Sequence, residues 1–126
     1  MSWVDEALAD YGRSLGLPSL EFNESGTASL RFDILGELYI EQIEGSVLLY
    51  VVREHQRPDT HLMAAALSVC HWGQNPPFPS NVALHGDNNL VFSIILPETE
   101  FNVPTMERAI DYLGKLHDSV QEGTIT

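Results

Sequence analysis

Cys70 and His71 are the adjacent pair in this chain with the strongest chemical potential, since a thiol beside an imidazole can serve as nucleophile and base. Neighbouring residues on a helix project about 100° apart, however, so a helical Cys70 and His71 cannot share a hydrogen bond. Cys70 is therefore expected to be a buried structural thiol. The five histidines, His55, His61, His71, His85 and His117, show neither an H-E-x-x-H arrangement nor the paired-cysteine spacing that would group ligands on one face, so no metal site is expected. Glu41 with Glu44 flanks a turn and Glu98 with Glu100 occupies a polar loop, where solvation accounts for them better than acid–base work. No phosphate-cradling glycine loop and no G-x-S-x-G elbow occurs. The chain is expected to have no catalytic residues, no cofactor and no enzymatic activity.

What remains is a question of surfaces. The formal net charge is -12, from 18 acidic residues against 6 Lys and Arg. No basic run is available to neutralise phosphates, so neither nucleic acid nor membrane insertion is expected. Ten acidic residues precede Pro58 and 8 follow it, which describes a dispersed solvated surface rather than a tail. Such a surface also suits a basic or disordered partner. At 126 residues with 44% hydrophobic content the chain reads as a single domain over residues 1–126. One cysteine excludes an internal disulfide and fits a reducing compartment. The start MSWVDEALAD has no signal-peptide pattern, and no apolar run reaches the roughly 18 residues of a membrane span, so a cytoplasmic location is expected.

The elements follow from periodicity. Ser2 to Leu15 predicts a helix with Val4, Leu8, Tyr11 and Leu15 on one stripe, widened by Trp3 and Ala7, and Gly16 with Pro18 ends it. Thr27 to Glu54 predicts three antiparallel strands. The last two meet at Glu44-Gly45, which sets Ile43 opposite Ser46 and, counting outward, Tyr39 opposite Tyr50 and Leu38 opposite Val51. Alternation then puts Leu38, Ile40, Val47, Leu49 and Val51 on one face and Tyr39, Ile43, Leu48, Tyr50 and Val52 on the other, with Glu41 among them. One face makes the core. The second is too apolar for a plain solvated surface and needs a cover or a partner.

A middle helix is predicted over Thr60 to Trp72. From Leu62 to Cys70 only Ser68 is polar, so this helix must be buried on more than one side, and a second copy across a two-fold axis is the natural cover. The prolines of Gln74 to Ser80 make a loop, Asn81 to His85 a short strand and Leu90 to Leu96 a central strand. A last helix begins at Pro104, with Met106, Ile110, Leu113, Leu116 and Val120 on its apolar stripe and Asp111 and Lys115 paired on its wet side. Gln121 to Thr126 is expected to fray. The fold class is α+β: an antiparallel sheet of about five strands with three helices, ordered α-β-β-β-α-β-β-α, and dimeric.

This order, with the acidity, the size and the apolar middle helix, resembles the class I chaperones of bacterial type III secretion (CesT/SycE-like). The step Leu15-Gly16-Leu17-Pro18, then Phe22, the turn Asn23 to Gly26 and Leu30 match a pattern common in that family. The start Met1-Ser2-Trp3 and the length look like its SycN-type members, which serve a gatekeeper protein. The resemblance implies a chaperone in the bacterial cytoplasm. It would bind the non-globular N-terminal segment of a secreted effector or gatekeeper protein in extended form, acting as a homodimer or as a heterodimer with a second small chaperone. Trp3, Tyr39, Ile43, Leu48 and Tyr50 are then the expected client-binding residues. Met63, Ala66, Leu67 and Cys70 of the middle helix, with Val82 and Leu84 of the following strand, are the expected dimer interface. A regulatory or scaffolding domain of the same architecture without a secreted client is the alternative, and an enzyme with a pocket on the sheet is a third.

Overall fold

The computed structural model describes residues 3–17, 19–55, 78–86 and 89–122. Within them the order is α1 (Trp3–Ser14), β1 (Thr27–Phe32), β2 (Gly36–Ile43), β3 (Ser46–Glu54), β4 (Asn81–His85), β5 (Asn89–Pro97), a 3-10 turn (Glu98–Glu100) and α2 (Val103–Glu122). The five strands form one antiparallel sheet in the order β1-β2-β3-β5-β4. The fold is therefore α+β, with two helices among the described residues. The predicted middle helix, with Met63, Ala66, Leu67 and Cys70, lies outside them.

The β2–β3 hairpin has the register expected from its sequence, Ile43 opposite Ser46, Tyr39 opposite Tyr50 and Leu38 opposite Val51. Gly45, at φ +77°, supplies the backbone conformation its two-residue turn requires. Strand β5 then pairs along the whole of β3, from Ser46 opposite Pro97 to Glu54 opposite Asn89. This makes β3 and β5 central and leaves β1 and β4 as edges.

Both helices pack on the face carrying Leu38, Ile40, Val47, Leu49, Val51, Phe92 and Ile94, all of them buried. From α1 come Val4, Leu8 and Tyr11; from α2 come Met106, Ile110, Leu113, Leu116 and Val120, the stripe expected from spacing. Helix α2 starts one step before Pro104 because the Oδ1 of Asn102 accepts the amide hydrogen of Thr105 at 2.9 Å and caps it. Trp3 departs from the expected stripe. It is 57% exposed, its indole Nε1 donating to the Glu98 carbonyl at 3.0 Å, and Leu15 at the other end of the stripe is also exposed. No helix among the described residues is long and apolar enough to cross a membrane.

Candidate binding face and its relatives

The outer face of the sheet, away from α1 and α2, can be laid out from the strand registers. One row across it reads Thr27, Glu41, Leu48, Ile95. The next reads Ser29, Tyr39, Tyr50, Ser93, Asn81, and the third Arg31, Glu37, Val52, Val91, Ala83. At its centre Tyr39 and Tyr50 stack with ring centroids 5.0 Å apart and planes within 13°. The Tyr39 hydroxyl donates to Glu37 Oε2 at 2.8 Å. Its hydrogen bond to Glu37, then partial burial, raises its pKa. The pKa of Tyr50 is raised too, by burial first and then by the neighbouring Glu41 carboxylate. Both phenols therefore stay protonated. Ile95, 52% exposed, and half-buried Leu48 supply apolar surface beside the pair, and exposed Ile43 lies at the end of the hairpin.

Four of the five expected client-binding residues, Tyr39, Ile43, Leu48 and Tyr50, thus share this face. Trp3 does not join them: it belongs to α1, in the helical layer on the opposite side of the sheet. Ile95 was not singled out from the sequence because LVFSIIL is apolar at nearly every position, and only its pairing opposite Leu48 assigns it to the outer face. Val82 and Leu84 of β4 lean on the edge of the core, half-buried.

The helical side carries a second recess, a groove of about 660 Å³ floored by Tyr11, Phe32, Leu35 and Ile110, with Leu15 and the turn residue Ile34 exposed at its rim. Two ion pairs border it, Arg53–Asp118 at 2.8 Å and the expected Asp111–Lys115 pair at 3.0 Å. Burial, reinforced by the charge of Glu107, pushes the Tyr11 phenol up to about 12, so it stays neutral.

Two of the five histidines do meet. His117 Nε2 lies 2.9 Å from the Val51 carbonyl oxygen, which can only accept, so this nitrogen carries the proton. Nδ1 is then the acceptor for His55 Nε2, 2.9 Å away. Phe92 closes over the pair edge-on. The two residues are 62 apart in sequence, a distance no spacing rule addresses. Among the described residues no group of three or more His, Cys, Asp or Glu could hold a metal ion.

Among the described residues, the sheet is covered by helices on one face and presents aromatic, aliphatic and acidic side chains on the other. The family model for the type III secretory system chaperone SycN matches residues 3–121, and the chain belongs to that family. The Chaperone protein SycN of Yersinia enterocolitica is 25% identical over 132 aligned positions, covering 95% of this chain and 98% of that protein. The fold is shared with a chain of the ExsC–ExsE complex, at a TM-score of 0.73 and 20% identity over 94% of this chain and 88% of that one. It is also shared with a chain of the HopA1–SchA chaperone–effector complex, at 0.70 and 22% over 93% and 91%.

Proposed function

We propose that this type III secretion chaperone binds the non-globular N-terminal segment of a secreted effector or gatekeeper protein in extended form and keeps it soluble and ready for export. The observation that carries the reading is the outer face of the sheet, where Tyr39, Leu48, Tyr50 and Ile95 offer apolar surface that no described helix covers. Likeness to a chaperone–effector complex supports it. An unfolded segment must offset the entropy of its own ordering, so it needs contacts spread over a large surface. The groove beside Tyr11 and Ile34 offers further apolar contact on the opposite side. On this reading the protein works in the bacterial cytoplasm as one domain, without catalysis, cofactor or ATP hydrolysis.

The test is binding of the cognate N-terminal segment, identified by co-purification and measured by calorimetry. Single polar replacements of Tyr39, Leu48 or Tyr50 should weaken binding by a few-fold, and the triple variant by more than tenfold, with circular dichroism confirming that the fold survives. Unchanged affinity in the folded triple variant would remove the client from this face.

The working form is a dimer, a homodimer or a pair with a second small chaperone, joined through Leu62 to Trp72 with Val82 and Leu84. Its support is the near absence of polar residues in that stretch. The protein should sediment as a dimer at micromolar concentration, alone or with its partner chaperone, and Leu67→Asp should shift it to monomer by placing an unpaired charge in the interface. A wild-type monomer under both conditions would refute this.

A further inference from the structure

We propose that the segment held on the outer sheet face carries an arginine, whose guanidinium packs against an outer ring face of the Tyr39–Tyr50 stack and bonds to Glu41. This rests on the chaperone reading above and names the chemistry of its partner.

The register places Glu37 and Glu41 on the outer face on either side of Tyr39, two residues away along β2 in each direction, with Tyr50 directly across. Stacked on each other, the two rings each keep one outer face, and a planar cation is attracted to such a face. The carboxylates are not equivalent. Glu37 already has Arg31 at 3.3 Å. Glu41, across from Leu48 in the next row, has no ion pair among the described residues. An ionised carboxylate offers both oxygens to a charged donor.

Arginine fits this arrangement better than lysine because its flat fork can stack on a ring face and direct two N–H groups at one carboxylate. A net charge of -12 further favours a cationic partner. The strip also has a period. Residues two apart on an extended segment are separated by roughly 6.8 Å, the spacing between rows of the sheet. With the arginine against the Tyr39–Tyr50 stack, an apolar residue two positions along lands beside Leu48 and Ile95, and one two positions the other way beside Val52 and Val91. The chemistry read by this face is therefore apolar–x–Arg–x–apolar in an extended chain.

The probe is the synthetic peptide Ser-Thr-Val-Thr-Arg-Thr-Val-Thr-Ser, compared with the same peptide carrying citrulline, the neutral isostere, in place of arginine. Each is titrated into the isotope-labelled full chain and followed by two-dimensional NMR. The arginine peptide should shift the amide signals of Tyr39, Glu41 and Tyr50 and bind on the order of fivefold more tightly than the citrulline peptide. High salt should shrink that advantage, and Glu41→Gln, which keeps size and shape, should remove it. Equal affinity of both peptides for this face would overturn the arginine while leaving the chaperone reading intact. Shifts confined to other surfaces would move the client site itself off the sheet. No response at millimolar peptide, or sedimentation evidence that a second copy of the chain fills the face, would also reject the proposal.

Discussion

Acidification from pH 7 to pH 4.5 should remove roughly 2 to 3 kcal/mol of folding stability through His117 alone. Its ring is buried, and burial, with help from the charges of Arg53 and His55, pulls its pKa from 6.5 down to about 3 against the opposing pull of the Val51 carbonyl and Asp118. In the unfolded chain the same ring takes up a proton near its ordinary pKa of 6.5. Between these values the unfolded state binds more protons than the folded one, so stability is complete above about pH 6.5 and declines as the pH falls toward 3. The geometry gives the same sign. Protonated His117 would present a hydrogen at Nδ1 to the nitrogen of His55 that now donates to it.

Acidic residues also lose charge over this range, which relieves repulsion in a chain of net charge -12 and opposes the trend. The informative measurement is therefore a comparison. Urea unfolding of wild type and His117→Gln from pH 7.5 to 4.5 should show the variant less stable at neutral pH but with a flatter profile. Parallel profiles would mean that His117 titrates normally.

Gly36→Ala should cost roughly 3 kcal/mol, combining backbone strain with a backbone clash. Gly36 opens β2 at φ +113°, and an added Cβ would stand 2.6 Å from the Val52 carbonyl oxygen of the neighbouring strand. That oxygen belongs to a paired central strand and cannot move without disturbing the β2–β3 ladder. Gly45 is the control. Its φ is +77° but its Cβ direction is empty, so Gly45→Ala should cost only about 1 kcal/mol. Similar losses in chemical denaturation would show that conformational strain, rather than the approach to Val52, limits Gly36. Since the Gly36 clash would disturb the hairpin that carries Tyr39 and Tyr50, client binding should fall along with stability.

The hairpin at the centre of the candidate site was legible in the sequence because two local facts suffice to fix it. Glu44-Gly45 is the turn signal between two apolar runs, and strand side chains alternate strictly, so the pairs Tyr39–Tyr50 and Leu38–Val51 follow by counting. The stripe of α2 follows equally from helical period, which is why Met106 to Val120 are buried as expected. Asn102 as the cap of α2 was a weaker signal, hidden behind the conspicuous Pro104.

Tertiary structure decided what period cannot. Both faces of the β2–β3 hairpin are apolar, and alternation names the two sets without saying which one receives helices. Packing of α1 and α2 against Leu38, Leu49 and Phe92 made that choice and left Tyr39 and Tyr50 outside. The same choice sent Trp3 to the opposite layer, since a residue at the first turn of α1 belongs to whichever side of the sheet the helix covers. It also exposed Ile95, whose continuous apolar run conceals its alternation until β3 fixes its register. The His55–His117 contact lies furthest from sequence reasoning. It joins the end of a central strand to the last helix, and only folding brings residues 62 positions apart to within hydrogen-bond distance, where burial sets the chemistry of a ring that its own sequence neighbours leave unremarkable.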